Sequence, residues 1–137
     1  MIAGLLLLGV VSSADMPLSL KNRQFSARIA YVIDVKTYAV DVSLPYGSQR
    51  IKVALDGIVA PELYGNACER RAALEAKAFV QSILWPNETV IVRNLRAGRS
   101  GVVGDIEFAG RNLAEVLLRF KQVVPEGEAT ARNWCRF

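Results

Sequence analysis

The chain has no histidine among its 137 residues. That removes the commonest general base near neutral pH, the commonest zinc ligand and every nucleophile pair built on imidazole. Cysteine is scarce as well. Cys68 and Cys135 are the only two, and neither sits in a C-x-x-C or other metal spacing. Long apolar runs are missing: Ile2 to Val11 is uncharged for ten residues, against roughly 20 for a membrane-spanning helix. Neither sign of charge dominates. Lys plus Arg number 17 and Asp plus Glu 13, a net charge of +4, which permits a polyanionic partner without demanding one. With 52% hydrophobic and 22% charged residues, the chain is neither disordered nor a coiled coil. Its length suits one domain with one core.

The opening residues, MIAGLLLLGVVSSADMPLSL, put Ser12-Ser13-Ala14 after the apolar run and before Asp15. Small residues there fit a signal-peptidase site, although the usual basic n-region is missing. The alternative is a first core strand or helix. The expectation is a signal peptide over 1–14, an N-terminal extension over 15–26 and a single domain over 27–137, with no membrane span in the mature chain and a periplasmic or secreted location. In an exported chain two distant cysteines most simply form one disulfide, Cys68 to Cys135; two unrelated buried thiols are the alternative.

Alternation of apolar and polar residues predicts strands at Gln24–Val35, Thr37–Leu44 and Gln49–Leu55. The stretch Pro45-Tyr46-Gly47-Ser48 marks a turn between the last two. Asn66 is placed to cap a helix over Ala67–Trp85, with Glu69 set for a capping box. Ala72, Ala76, Phe79, Val80 and Ile83 form its expected core face. Two more strands follow, Glu88–Leu95 and Gly101–Phe108, joined by a basic, flexible connection over 96–100. Asn112 caps a second helix, Leu113–Phe120, with Leu113, Val116, Leu117 and Phe120 on one side. The tail from Val123 reads as irregular. This order fits a mainly β, α+β fold: a five-stranded OB-fold barrel with two or three packed helices. An open α+β sheet is the alternative.

Several motifs, in order, resemble one family. Ile58-Val59-Ala60-Pro61-Glu62-Leu63 is similar to a G-[IV]-D-[AT]-P-E loop. Gly104-Asp105-Ile106 with Gly110-Arg111-Asn112-Leu113 is similar to an A-D-V strand followed by a G-R-x-[LV] helix start. Ile33-Asp34-Val35-Lys36-Thr37 stands where that family has V-D-G-D-T. The family is the thermonuclease, or staphylococcal-nuclease-like, one. The two cysteines, with Asn66-Ala67-Cys68-Glu69 and Asn133-Trp134-Cys135, resemble its exported bacterial members.

The resemblance implies a five-stranded OB barrel with three helices and a calcium-dependent cleavage of phosphodiesters. In the family two carboxylates and a backbone carbonyl hold the metal, a Glu activates water, and two Arg neutralise the phosphate. Here Asp34 matches the first Asp of the D-G-D-T motif. Lys36 stands at the second, a metal ligand, while Thr37 keeps the Thr. Val59 replaces the other metal-binding Asp, Ala54 replaces the first Arg, and Glu62 is retained. The second Arg is either replaced by Gly101 or approximated by Arg99. Hard cations want several oxygen ligands, so metal binding is expected to be weak or absent. Glu62 alone makes no nuclease; capping its loop is its expected role. The expectation is a nuclease-like binding module for nucleic acid or another polyanion, with Lys36, Thr37, Arg93, Arg96 and Arg99 as binding residues. Tyr38, Tyr46 and Tyr64 are candidates for base stacking or for ordinary barrel packing. No cofactor is expected. Two readings stay open beside it. One is a structural or protein-interaction domain of the cell envelope. The other is an active calcium-dependent nuclease with a rearranged site, in which Asp34 and Asp56 are the metal candidates.

Overall fold

The computed structural model describes residues 24–98, 101–127 and 134–135; the expected leader over 1–14, and Arg99, lie outside them. The first three strands form an antiparallel meander: β1 (Gln24–Val32), β2 (Thr37–Leu44) and β3 (Gly47–Leu55). After β4 (Ile58–Val59) and helix α1 (Ala67–Ile83), the chain returns in β5 (Thr89–Gly98) and β6 (Gly101–Phe108). A two-residue β7 (Arg111–Asn112), helix α2 (Leu113–Arg119) and β8 (Val124–Pro125) follow. Sheet order is β3-β2-β1-β5-β6-β7, and a further parallel pairing of β3 with β6 closes β1, β2, β3, β5 and β6 into a barrel. The fold is therefore α+β, an OB-fold-like closed barrel of five strands with, among the described residues, two helices packed on it.

Away from the bulges in β1 and β5, the barrel interior takes alternate side chains of its strands, as pleating requires. Ile29, Tyr38, Val40, Val42, Val53 and Ile106 are all at 1% exposure or less. Tyr38, a stacking candidate by sequence, belongs to this core. Its hydroxyl donates to the carbonyl of Val35. Burial, with the nearby Asp34 carboxylate adding to it, pushes the phenol pKa well above its ordinary value.

Several boundaries differ from the sequence expectation. β1 ends at Val32, because Ile33–Lys36 form a hydrogen-bonded loop. Its first residues, Gln24 to Ser26, pair with β5, so the barrel begins inside the stretch set aside as an extension. β5 runs on to Gly98, with Arg96, Ala97 and Gly98 paired to Val103, Val102 and Gly101; the supposed flexible connection is largely strand. Val124–Pro125 pairs with Ile58–Val59 instead of being irregular. Helix α1 stops at Ile83, since Pro86 disfavours helical backbone at Trp85. Its buried face is Ala73, Ala76 and Val80, with Phe79 and Ile83 only partly covered. In α2 Leu113 and Leu117 are buried, while Phe120 is half-exposed and tilts against Phe79 at 5.3 Å between centroids.

Both helix starts are as expected, with one change of partner. The Asn66 side chain accepts from Glu69 N at 2.9 Å, and that of Asn112 accepts from Glu115 N at 3.0 Å. Glu69 does not return the bond to Asn66, as a capping box would. Its Oε2 accepts instead from Glu62 N at 2.8 Å, pinning the preceding loop to the helix.

Cys68, in the first turn of α1, is bonded to Cys135 across a sequence separation of 67. Among the described residues no helix is long and apolar enough to cross a membrane. On the outer side of the meander, Asp41 faces Arg50 across the β2–β3 ladder and accepts from Nε at 2.8 Å and Nη2 at 3.1 Å. Those bonds lower the Asp41 pKa below its ordinary value, against an opposing effect of burial, and the charge of Arg50 adds to the lowering.

Two outcomes follow for stability. Replacing both cysteines by Ser, or reducing the bond, is expected to lower unfolding stability by about 4 kcal/mol in the chain-entropy account, measured by urea titration. Asp41, with its folded pKa depressed, contributes stability above the ordinary carboxylate range that is lost as pH falls through the lowered folded value. Thermal unfolding followed from neutral to strongly acid pH should show that part of the acid slope in the native chain and not in Asp41→Asn.

Candidate functional site

Where β3 meets β6, Val53, Ala54 and Leu55 lie beside Val102, Val103 and Gly104 in parallel register. Next to this seam lies a cleft of about 680 Å³, whose wall includes Lys36, Thr37, Lys52, Ala54, Asp56 and Arg96. Gly57, at φ +80°, turns the chain out of β3 at its edge, a backbone conformation costly for side chains with a Cβ. The cleft is mixed in charge. Lys36, Lys52 and Arg96 stand against Asp56 and Glu126.

The β1–β2 loop aims Lys36. Asp34 Oδ1 accepts from the backbone N–H of Lys36 at 2.9 Å and of Thr37 at 2.8 Å. The Thr37 carbonyl in turn accepts from Ile33 N and Asp34 N. This is an Asx-type turn, in which the carboxylate replaces backbone partners. The Lys36 carbonyl receives Leu55 N at 2.8 Å, fastening the loop to β3. So held, the Lys36 side chain reaches across to β4, and Nζ donates to the carbonyl of Ile58 at 3.1 Å. The Lys36 ammonium is thus held on the carbonyl of the residue before Val59, and at 36 and 59, where the resemblance expects two metal carboxylates, the chain carries an ammonium and an isopropyl group.

The acidic candidates are engaged elsewhere. Asp34 holds its own loop. Asp56 is ion-paired with Arg96, which also donates to the carbonyl of Asn94 at 2.7 Å. Among the described residues no three His, Cys, Asp or Glu side chains gather as a metal set. The donors present do not fit a calcium ion, which wants six to eight oxygens and gains most from charged ones.

The basic run is not a free stripe either. Arg93 pairs with Glu107 at 3.0 Å, and its Nε is buried. Arg96 pairs with Asp56. A bulge separates the two: Arg93 lies opposite Asp105 but Arg96 opposite Val103, and Asn94 takes φ 57°. The extra residue shifts the inward positions from Val90 and Val92 to Leu95. Gly104 accommodates the shift, since a Cβ there would sit 2.7 Å from Leu95 Cδ2 and 3.1 Å from the Arg93 carbonyl.

Of the expected binding residues, Lys36, Thr37 and Arg96 meet in the cleft, and Arg93 does not line it. Glu62 is exposed in the loop before α1, away from the cleft wall, with its carbonyl accepting from Gly65 N at 3.1 Å. Tyr46 and Tyr64 are exposed, the latter at 95%. Lys52 was not among the expected binding residues. It lines the cleft and takes part in no ion pair among the described residues. Its outward place in the alternation of β3 was the available signal.

Set against known proteins, the chain matches no protein-family model and no curated protein. Asp34→Ala is expected to lower unfolding stability by about 2 kcal/mol, because two backbone N–H groups lose a charged acceptor. Asp34→Asn, which keeps an acceptor oxygen, should recover much of that loss in the same urea titration.

Proposed function

We propose that this chain is an exported, nuclease-like barrel without calcium-dependent phosphodiesterase activity, and that it binds a polyanion, nucleic acid foremost, in the cleft beside β3 and β6. The observation that carries this reading is the Lys36 ammonium on the Ile58 carbonyl, beside Val59. Where the thermonuclease resemblance expects a dication between two carboxylates, the chain supplies its own single positive charge. An ammonium in place of a carboxylate changes the local charge by two units, which raises the cost of bringing in Ca²⁺ and lowers that of a phosphate.

Other features support the same reading. Ala54, at the position of a phosphate-binding Arg, lines the cleft and offers no donor. Lys52, one step before the closing seam, is a cation without a carboxylate partner among the described residues. Glu62, the retained member of the catalytic set, lies outside the cleft wall. The Cys68–Cys135 bond fits an oxidising compartment, and so a periplasmic or secreted location.

The test has two arms on the oxidised chain. Digestion of single-stranded DNA and RNA with calcium should show no cleavage above that of the Glu62→Gln variant. Cleavage abolished both by a chelator and by Glu62→Gln would restore the nuclease reading. Binding of the same strands should weaken steeply with salt, and Lys52→Ala should reduce the slope of log K against log salt by about 0.7, one phosphate contact. No binding at low salt would leave the envelope interaction domain as the better account.

A further inference from the structure

The outer face of the β1–β2–β3 meander runs away from the cleft, and Lys52 belongs to both. Cross-strand register places Arg28, Asp41 and Arg50 in one row, and Tyr31, Ala39 and Lys52 in the next. Arg28 and Lys52 make no ion pair among the described residues. The face thus carries three cations and one carboxylate, and that carboxylate is taken up by Arg50.

Tyr31 is on this face because of a bulge. Ile29 pairs with Val40, yet Tyr31 pairs with the adjacent Ala39, so β1 holds an extra residue at Ala30. Ala27 and Ile29 point into the core; without the bulge Tyr31 would join them. With it, Val32 takes the inward place and Tyr31 turns out to 50% exposure. Bulges are a usual device for re-aiming one side chain. The Arg50 guanidinium lies over the Tyr31 ring at 5.8 Å from its centroid. Two hydrogen bonds to Asp41 fix that guanidinium, and its side chain is still 57% exposed. The half-exposed ring with the guanidinium over it leaves an oriented π surface partly open to solvent, beside cations that have no ion-pair partner among the described residues.

We infer that the Tyr31–Arg50 platform is a base-stacking subsite, and that single-stranded nucleic acid runs from the Lys36–Lys52 cleft over the outer face of β1–β2–β3 with a base on it. This rests on the cleft binding a polyanion. Charge complementarity supplies the backbone contacts at Lys52 and Arg28, and either an aromatic ring or an Arg plane can stack a base. A single strand is the fitting occupant because its bases are free to turn onto the platform, whereas a duplex keeps them stacked. A base-free polyanion would use the same cations and leave the platform idle.

The experiment compares a short oligo-thymidylate with an abasic phosphodiester of equal length, binding to the oxidised full chain at fixed low salt. Tyr31→Ala is expected to weaken the oligo-thymidylate at least about fivefold and leave the abasic strand unchanged. Tyr31→Phe should bind as the native chain does. Photocrosslinking with a 5-bromouracil strand on the native chain, mapped by mass spectrometry, gives a readout independent of any variant's folding; a crosslink at Tyr31 is expected. If both strands bind alike, Tyr31→Ala changes neither and no crosslink maps to Tyr31, the platform is overturned while cleft binding stands. If neither strand binds the native chain, both readings fall.

Discussion

Three residue pairs of parallel strand, Val53 to Leu55 against Val102 to Gly104, turn an open meander and hairpin into a barrel. Without them β3 and β6 would be sheet edges with unpaired backbone groups, and the interior face of both would meet water. The contact is short because the strands approach at the barrel seam and then separate. The cleft borders this same seam, so the feature that secures the core also sets where that concavity lies. The loop carrying Lys36 is held to the same seam through Leu55 N, and Gly57 releases the chain immediately afterwards. Position of the site and closure of the fold are one constraint.

Inside that cleft the charges sort themselves into those already answered and those that are not. Asp56 and Arg96 answer each other, and Lys36 is answered by a carbonyl dipole, which leaves it a full positive charge. A pair exposed to this degree, near half for both side chains, adds little to stability. Its effect is on the charge field of the cleft, where one cation and one anion offset each other. Lys52 then weighs more than its number suggests, because nothing described in the fold offsets it. Counting Lys and Arg along the sequence overstates the β5 contribution and misses the β3 one.

Much of the fold was legible because it rests on local rules. The strands Thr37–Leu44 and Gly101–Phe108 have the expected ends, since their alternation is unbroken. The two Asn caps begin helices at the expected residues, since a cap is a contact three residues long. Where the reading failed, the cause was an extra residue or a distant partner. The bulge at Asn94 reverses the inside and outside of everything after it in β5, so a parity argument from Arg93 could not be carried to Arg96. Alternation alone gives no reason to place the bulge there, although Asn is among the residues that tolerate positive φ. Asp56 and Arg96 lie 40 residues apart, and no pattern in the chain announces their pairing. Tyr38 was readable as core from its alternation, and its buried hydroxyl confirms the plainer of the two roles considered for it.

The two bulges have the same mechanics and opposite consequences. At Asn94 the shift keeps Leu95 in the core and sets Arg93 and Arg96 outside, where each finds a carboxylate. At Ala30 the shift keeps Val32 in the core and sets Tyr31 outside, where half its surface remains in water. A barrel needs bulges to coil, and packing accounts for the residue each bulge turns inward. It does not account for what is turned outward. The Tyr31 ring lies under a guanidinium that its neighbour Asp41 holds in place, so the bulge that helps coil the barrel also sets an aromatic–guanidinium pair on its outer face.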